Sequence, residues 1–498
     1  MTSISATENG VTDDVLVVGL SRDSAKKLRI HSGSIKLDEK ELISALTDLG
    51  ATGSYDEVVK IPGTSTKLLV FTGLGAPLQD GSFSHERLRR AAGAAARQLF
   101  GHTSATFALT HRDDAGFAAV AEGALLGSYE FIEFKGASAV KDHKPPLKKI
   151  AIHSTITRAT RAKALVSRAE VISRYTALVR DLINTPPSHL TPDSFSQRFK
   201  KLAASSKASI EILNDAQLKK FGYGGTIAVG QGSASKPRLV HISYSPKKAK
   251  ARLAFVGKGI TFDTGGLALK PAQGMEAMKS DMSGAAAVCA AALAIAEMGL
   301  EIAVDAWAPL AENMVSDTAT RPSDFITIYG GKTVEVLNPD AEGRLILADA
   351  LVRAAEFGKK AGGLDLIVDV ATLTGAQSVA LGTRTSAVMT NNQSWSDRFL
   401  EISESTGELF WPMPLPEELR PSLDSPVADI ANIGDRMGGM LVAGLFLKEF
   451  VSDDLPWLHL DIAGPAFNTG KPHGYTPVGG TGVALRTLVA LAEQSAGK

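Results

Sequence analysis

A charged side chain buried in apolar sequence is costly unless it is paired or bound to a metal, so a chain that places many of them there has few ways to fold. Between Val256 and Leu345 three runs do this. The first reads V-G-K-G-I-T-F-D-T-G-G-L-A-L-K-P, Val256 to Pro271; the second M-K-S-D-M-S-G-A-A, Met278 to Ala286; the third N-P-D-A-E-G-R-L, Asn338 to Leu345. Together they carry Lys258, Asp263, Lys270, Asp281, Asp340, Glu342 and Arg344.

The local sequence says where these groups would sit. Residues Arg252 to Val256 (R-L-A-F-V) read as a buried strand, and Gly257 and Gly259 bracket Lys258 where it ends. Loops at strand C-termini are where open α/β sheets build their sites. Gly265 and Gly266 leave room for close backbone approach behind Asp263. Asp281 precedes a small-residue helix expected over Ser283 to Met298, so its carboxylate points back from the helix start. Asp340 and Glu342 follow the extended segment T-V-E-V-L, and period-2 geometry is expected to turn both to one face. Arg344 heads a helix expected over Leu345 to Phe357; a helix N-terminus with a guanidinium makes an anion seat. Each residue alone is an ordinary turn, cap or surface charge. Three such runs within 90 residues are what a two-metal hydrolase needs, because hard divalent ions take oxygen ligands.

These runs resemble those of the leucyl aminopeptidase family (cytosol aminopeptidases, peptidase family M17), whose signature N-T-D-A-E-G-R-L is matched at seven of eight positions. Further likeness lies in R-D-L-I-N-T-P-P-S-H-L-T-P (Arg180 to Pro192), D-V-A-T-L-T-G-A (Asp369 to Ala376) and D-I-A-G-P-A from Asp461, so the resemblance covers roughly residues 165 to 498. One departure is Pro339 in place of the signature's Thr, which removes a backbone donor beside Asp340. The resemblance implies two divalent ions, Mn²⁺ or Zn²⁺: Lys258 and Asp281 on one, Asp340 on the other, Asp263 and Glu342 bridging both. It further implies that Lys270 polarises the scissile carbonyl and that Arg344 holds a bicarbonate acting as general base. Thr372, Leu373 and Gly375 would align the peptide through backbone groups, and Met278 and Ala463, with Ala466, would line the pocket for the first residue. A lysine ligates only when neutral, which two nearby dications would favour. None of the ten histidines lies between residues 242 and 458, so no histidine in these runs is available as base.

The chemistry implied is hydrolysis by a metal-activated water, with one ion taking the free α-amine and so fixing cleavage at the first residue. The substrates expected are peptides, with leucine and other apolar first residues preferred. The alternatives are a two-metal hydrolase of another substrate such as a phosphoester, or an additional DNA-binding role. The lysine ligand and single arginine fit a peptide better than a phosphate. Zero formal net charge and no long basic block argue against nucleic acid.

With 498 residues, 44% of them apolar, the chain has material for a large core. The fold class expected is α/β in two domains: a smaller N-terminal α/β domain over 1–160, a linker helix over 161–183, and a larger catalytic domain over 184–498 with a mixed sheet flanked by helices. The first rests on alternating strands (Val15 to Leu20, Lys67 to Gly73, Ala105 to Thr110, Lys149 to His153) and a helix from His85 to Leu99. The basic cluster Thr157 to Arg168 reads as a solvated helix face. Cys289, the only cysteine, excludes an internal disulfide. The N-terminus lacks a signal pattern, and the longest apolar run, Gly284 to Ala296, is thirteen residues, too short to span a bilayer. A cytoplasmic protein with no membrane partner is expected, and by family resemblance a homohexamer. G-G-K-T at Gly330 lacks the first glycine of a P-loop, V-G-K-G-I-T lacks Rossmann spacing, and no G-x-S-x-G or H-E-x-x-H occurs.

Overall fold

Continuous apolar runs such as R-L-A-F-V-G have no polar face to give to water, and in this protein they form interior strands covered on both sides. The structure is a computed structural model that describes residues 2–8, 13–63 and 66–497. By contact the chain divides into two compact units, Met1–Ala177 with Asn468–Val478, and Leu178–Phe467 with Gly479–Lys498.

The first unit is built on a seven-stranded sheet. Ser3–Thr7, Lys149–His153, Ser104–Ala108, Val15–Arg22 and Leu68–Gly73 are parallel neighbours in that order, and Val58–Pro62 and Leu28–His31 add antiparallel partners. The helices His85–Arg97 and Asp114–Gly127 pack against each other, and their alanines share one core with Val17, Val70 and Phe107. Asn468–Val478 groups with this unit: the Tyr475 hydroxyl donates to Glu86 at 2.9 Å, and Arg97 Nε donates to the Gly474 carbonyl at 2.8 Å. The basic cluster Thr157 to Arg168 is not the wholly solvated face expected. Arg168 pairs with the buried Glu122, which Arg89 also holds at 3.1 Å, because a buried carboxylate needs cations around it.

The second unit holds a nine-stranded mixed sheet. Its order is Phe410–Pro412, Ser386–Thr390, Trp457–Asp461, Leu366–Ala371, Arg252–Gly257, Ala303–Asn313, Arg238–Tyr244, Ser209–Leu213, with Gly259–Asp263 beside Ala303–Asn313. The middle strands Trp457–Asp461, Leu366–Ala371, Arg252–Gly257 and Ala303–Asn313 are parallel, so their C-terminal ends share one edge. The helices Ser283–Met298 and Gly343–Lys360 both pack on these strands. Ala254 and Val256 join the core beneath Gly343–Lys360, and strand alternation leaves Leu253 and Phe255 for the other face. Cys289 is buried within the first of these helices. With the preceding short 3₁₀ helix Met275–Ser280, that helix makes a 24-residue stretch, Met275–Met298, long and apolar enough to cross a bilayer by length and composition. Most of it is buried inside the protein.

Candidate metal centre

The parallel strands end where the charged runs begin. Lys258 follows Arg252–Gly257 directly; its amide donates to the Val370 carbonyl at 3.0 Å and its carbonyl accepts from Ala285 at 2.8 Å, which fixes where the side chain starts. Its Nζ donates to Asp281 Oδ1 at 2.8 Å, Glu342 Oε1 at 2.8 Å and the Thr372 carbonyl at 2.9 Å. The aliphatic stem lies against the start of Gly343–Lys360, so closely that a Cβ added at Gly343 would stand 2.5 Å from Lys258 Cε. A residue larger than glycine there would displace the lysine.

A second lysine closes the other side. Lys270 Nζ lies 2.8 Å from Asp263 Oδ2 and also pairs with Asp340 Oδ1. Asp263 is held by the Gly265 amide and by Asn313 Nδ2, each donating at 2.8 Å. Gly265 has φ +86°, and a Cβ there would approach Asp340 Oδ1 to 2.9 Å, so glycine serves both backbone and site.

Asp340 and Glu342 converge, though not by the strand alternation expected. The strand stops at Val336, and Asn338 Oδ1 accepts from the Asp340 amide at 2.9 Å to make a turn, after which Glu342 already has helical backbone (φ −80°, ψ −34°). A turn followed by a helix start aims both carboxylates inward. Pro339 fits this loop, its carbonyl accepting from Asn313 Nδ2 at 3.1 Å. The helix itself runs from Gly343 to Lys360, longer at both ends than the sequence indicated.

Oxygens of Asp263, Asp340 and Glu342 lie within 4.8 Å of one another. Asp281 joins them through Lys258, so four carboxylates face two ammonium groups. Burial raises the pKa of Asp281, Glu342 and Asp340, with neighbouring carboxylates adding to the effect and the lysines opposing it. Burial opposes charge on Lys258, but Asp281, Glu342 and Asp263 outweigh it and raise its pKa; Asp263 and Glu342 do the same for Lys270. Two buried carboxylate oxygens, Asp281 Oδ2 and Glu342 Oε2, have no hydrogen-bond partner among the described residues. Excess buried carboxylate with unpartnered oxygens is the donor set of a hard divalent cation site. The residues present fit such ions.

Arg344 begins the helix beside this cluster. Burial lowers its pKa to about 10, against the pull of Glu342 and Asp461. Its Nη1 donates to the Asn432 carbonyl at 2.7 Å, its guanidinium lies 5.9 Å from the Phe446 ring centre, and its buried Nε has no hydrogen-bond partner among the described residues. Of the residues expected to align peptide, Thr372 donates from Oγ1 to Asp281 Oδ1 at 2.7 Å. The Leu373 and Ala463 amides donate to Asp461 Oδ1 at 3.1 and 3.2 Å, and Thr374 Oγ1 to Oδ2 at 2.7 Å. One buried carboxylate therefore ties the two loops together. Gly375 is exposed at the start of the short helix Gly375–Leu381, and Met278 is half-buried in the 3₁₀ helix Met275–Ser280, its carbonyl accepting from the Asp281 amide at 3.1 Å.

Asn432 and His459 escaped the sequence reading, and Asp461 entered it only within the D-I-A-G-P-A likeness, with no role given to it. Asn432 lies in another segment with no spacing signal, and the motif around Asp461 says nothing of which loops its carboxylate joins. His459, just beyond the histidine-free stretch, is fully buried; its Nδ1 pairs with Asp369 Oδ1 at 2.6 Å, and Trp457 Nε1 donates to Oδ2 at 2.7 Å. Alternation within an apolar strand gave no hint of this polar ladder.

The chain matches the model of the cytosol aminopeptidase family catalytic domain over residues 177–489 and that of the family's N-terminal domain over residues 15–138. It is 50% identical to a probable cytosol aminopeptidase of Streptomyces avermitilis, over 100% of this chain and 98% of that protein. A second probable cytosol aminopeptidase, from Rhodococcus opacus, is 47% identical over 97% of this chain and 95% of its own. Among solved structures, the bottromycin maturation enzyme BotP in complex with Mn superposes with a TM-score of 0.85 at 36% identity, covering 97% of this chain and 100% of that one. A tomato leucine aminopeptidase mutant superposes with a TM-score of 0.86 at 32% identity, over 99% and 97%. Both domain models match in order and the likeness runs the length of the chain, so this protein is a peptidase of the cytosol aminopeptidase family.

Proposed function

We propose that the protein is a two-metal aminopeptidase that hydrolyses the first peptide bond of peptides with a free N-terminus, with leucine and other apolar first residues preferred. The observation that carries this reading is the acidic cluster of buried Asp263 and Glu342 and half-buried Asp340, with oxygens within 4.8 Å and the buried Asp281 beside them. Lys258 and Asp281 would hold one divalent ion, Asp340 the other, and Asp263 and Glu342 both; Mn²⁺ and Zn²⁺ suit these ligands. When bound, such ions bring the pKa of a coordinated water towards neutrality and stabilise negative charge on a carbonyl oxygen.

The protein's own groups supply the rest. Lys258 would ligate only through a neutral amine, and the carboxylates that now favour its protonated form, Asp281, Glu342 and Asp263, would be the groups a bound ion engages. Lys270 is the less buried lysine, with 21% of its side chain exposed, and its ammonium is placed to donate to the developing oxyanion. Arg344, with Nε unpartnered, offers a guanidinium seat for an anion at a helix N-terminus, and bicarbonate bound there would take the water's proton. Asp461 orients the Thr372–Gly375 loop whose backbone would align the substrate. Met278 and Ala463 would border the first-residue pocket. The test is hydrolysis of leucyl-p-nitroanilide with and without chelator and with Mn²⁺ or Zn²⁺ added back; activity that survives exhaustive chelation contradicts the proposal.

A further inference from the structure

We propose that a second site, for a free amino acid with an apolar side chain, lies towards the other end of the helix Gly343–Lys360. Arg353 is nine residues beyond Arg344, about 14 Å along the axis, and helps line a separate cavity of about 300 Å³. The walls are aromatic. Trp307 stacks on His241 with ring centres 3.7 Å apart and planes 6° apart, and Tyr223 stacks on Tyr329 at 4.6 Å.

The mouth carries both signs of charge. Arg353 lies 5.6 Å from the Trp307 ring centre and pairs with Glu356 at 3.1 Å, and Lys360 reaches the same carboxylate at 2.5 Å. The Tyr329 hydroxyl also donates to it at 2.5 Å, so Glu356 already holds three partners. A guanidinium and an ammonium still have donors to spare. Glu211, on the facing strand, is exposed and forms no ion pair among the described residues. Trp307 Nε1 is buried with no acceptor among the described residues, and aromatic clefts with a few convergent polar groups are the usual form of small-ligand sites.

A zwitterion with an apolar tail meets these features together: α-carboxylate on Arg353 and Lys360, α-ammonium on Glu211, and the side chain against the exposed ring of Phe221, which also lines the cavity. Such a molecule is what an aminopeptidase releases, so the physiological identity of the ligand rests on the proposed function. The ligand class rests on the cavity alone. The test is equilibrium dialysis of the full-length Asp263→Ala variant, impaired at the metal cluster, against labelled L-leucine. One leucine per chain is expected. Adding Glu211→Gln or Arg353→Met should weaken that binding at least tenfold, and leucinamide and N-acetyl-leucine, each lacking one charge, should compete at least tenfold less well. Glu211 is exposed, so its substitution probes the site without threatening the fold. No leucine bound to Asp263→Ala, or an affinity that neither added substitution moves, overturns the proposal. Full peptidase activity in Asp263→Ala would instead contradict the metal assignment and leave the leucine result to stand by itself.

Discussion

Asn432→Ala tests whether the loop carrying Asp340 and Glu342 is held from outside. Asn432 is fully buried, and its Oδ1 accepts from the Leu337 and Asn338 amides at 2.9 and 3.2 Å. Its Nδ2 donates to the Asn338 and Ala341 carbonyls at 2.7 and 3.3 Å. Alanine leaves two amides and two carbonyls without these partners. At a net ~0.5 to 1.5 kcal/mol per hydrogen bond, with some recovery through water entering the gap, the loss comes to about 3 kcal/mol. Groups that orient metal ligands typically contribute about 10- to 100-fold in metal affinity, and a fall of that size in Mn²⁺ affinity is expected here. Denaturant unfolding of the chelated protein measures the first quantity and Mn²⁺ titration the second. Stability within about 0.5 kcal/mol of the parent, together with unchanged Mn²⁺ affinity, would refute the reasoning.

Lys270→Ala should lower kcat on the order of 10²-fold while metal content stays near that of the parent, as for loss of an oxyanion donor; an unchanged kcat reassigns Lys270 to structure. Acetylating the substrate's N-terminus removes the amine lone pair, so acetyl-leucyl peptides should not be cleaved, and comparable rates on blocked and free peptides would defeat the aminopeptidase reading. In the first unit, burial, aided by the nearby Arg29, lowers the pKa of His31 from 6.5 to about 4. A depressed folded-state pKa gives stability that is complete above pH 6.5 and is lost as pH falls towards 4, up to about 3 kcal/mol. Hydrogen exchange of the surrounding strands at pH 7 and pH 4.5 should show this, and His31→Gln, which can keep the contact with Ser21, should flatten it; an equally steep acid loss in the variant would move the cause elsewhere.

What the sequence disclosed follows from locality. Lys258 is bracketed by glycines at the end of an apolar run, and Asp281 precedes a run of small residues, so strand end and helix start were legible, down to the bounds Ser283–Met298. Asp340 and Glu342 were expected to converge from the end of an extended segment, and they converge from a turn and a helix start instead, since period-2 alternation cannot foresee the turn that Asn338 builds. Asn432 and Asp461 reach the site across long chain separations, and a single polar residue in apolar surroundings reads the same whether it caps a turn or clips a catalytic loop. The grouping of Asn468–Val478 with the first unit was illegible for a related reason. A glycine- and proline-rich segment has no period, and its partners Glu86 and Arg97 lie near the other end of the chain.

The most direct test of the two-metal site is the amount of Mn²⁺ bound per chain after equilibrium dialysis, with activity measured on the same samples. The intact protein should bind two ions, and Asp263→Ala and Glu342→Ala should each bind fewer and lose activity, because each removes a ligand shared by both. Two full equivalents retained in both variants, or no more than one in the intact protein, would contradict it.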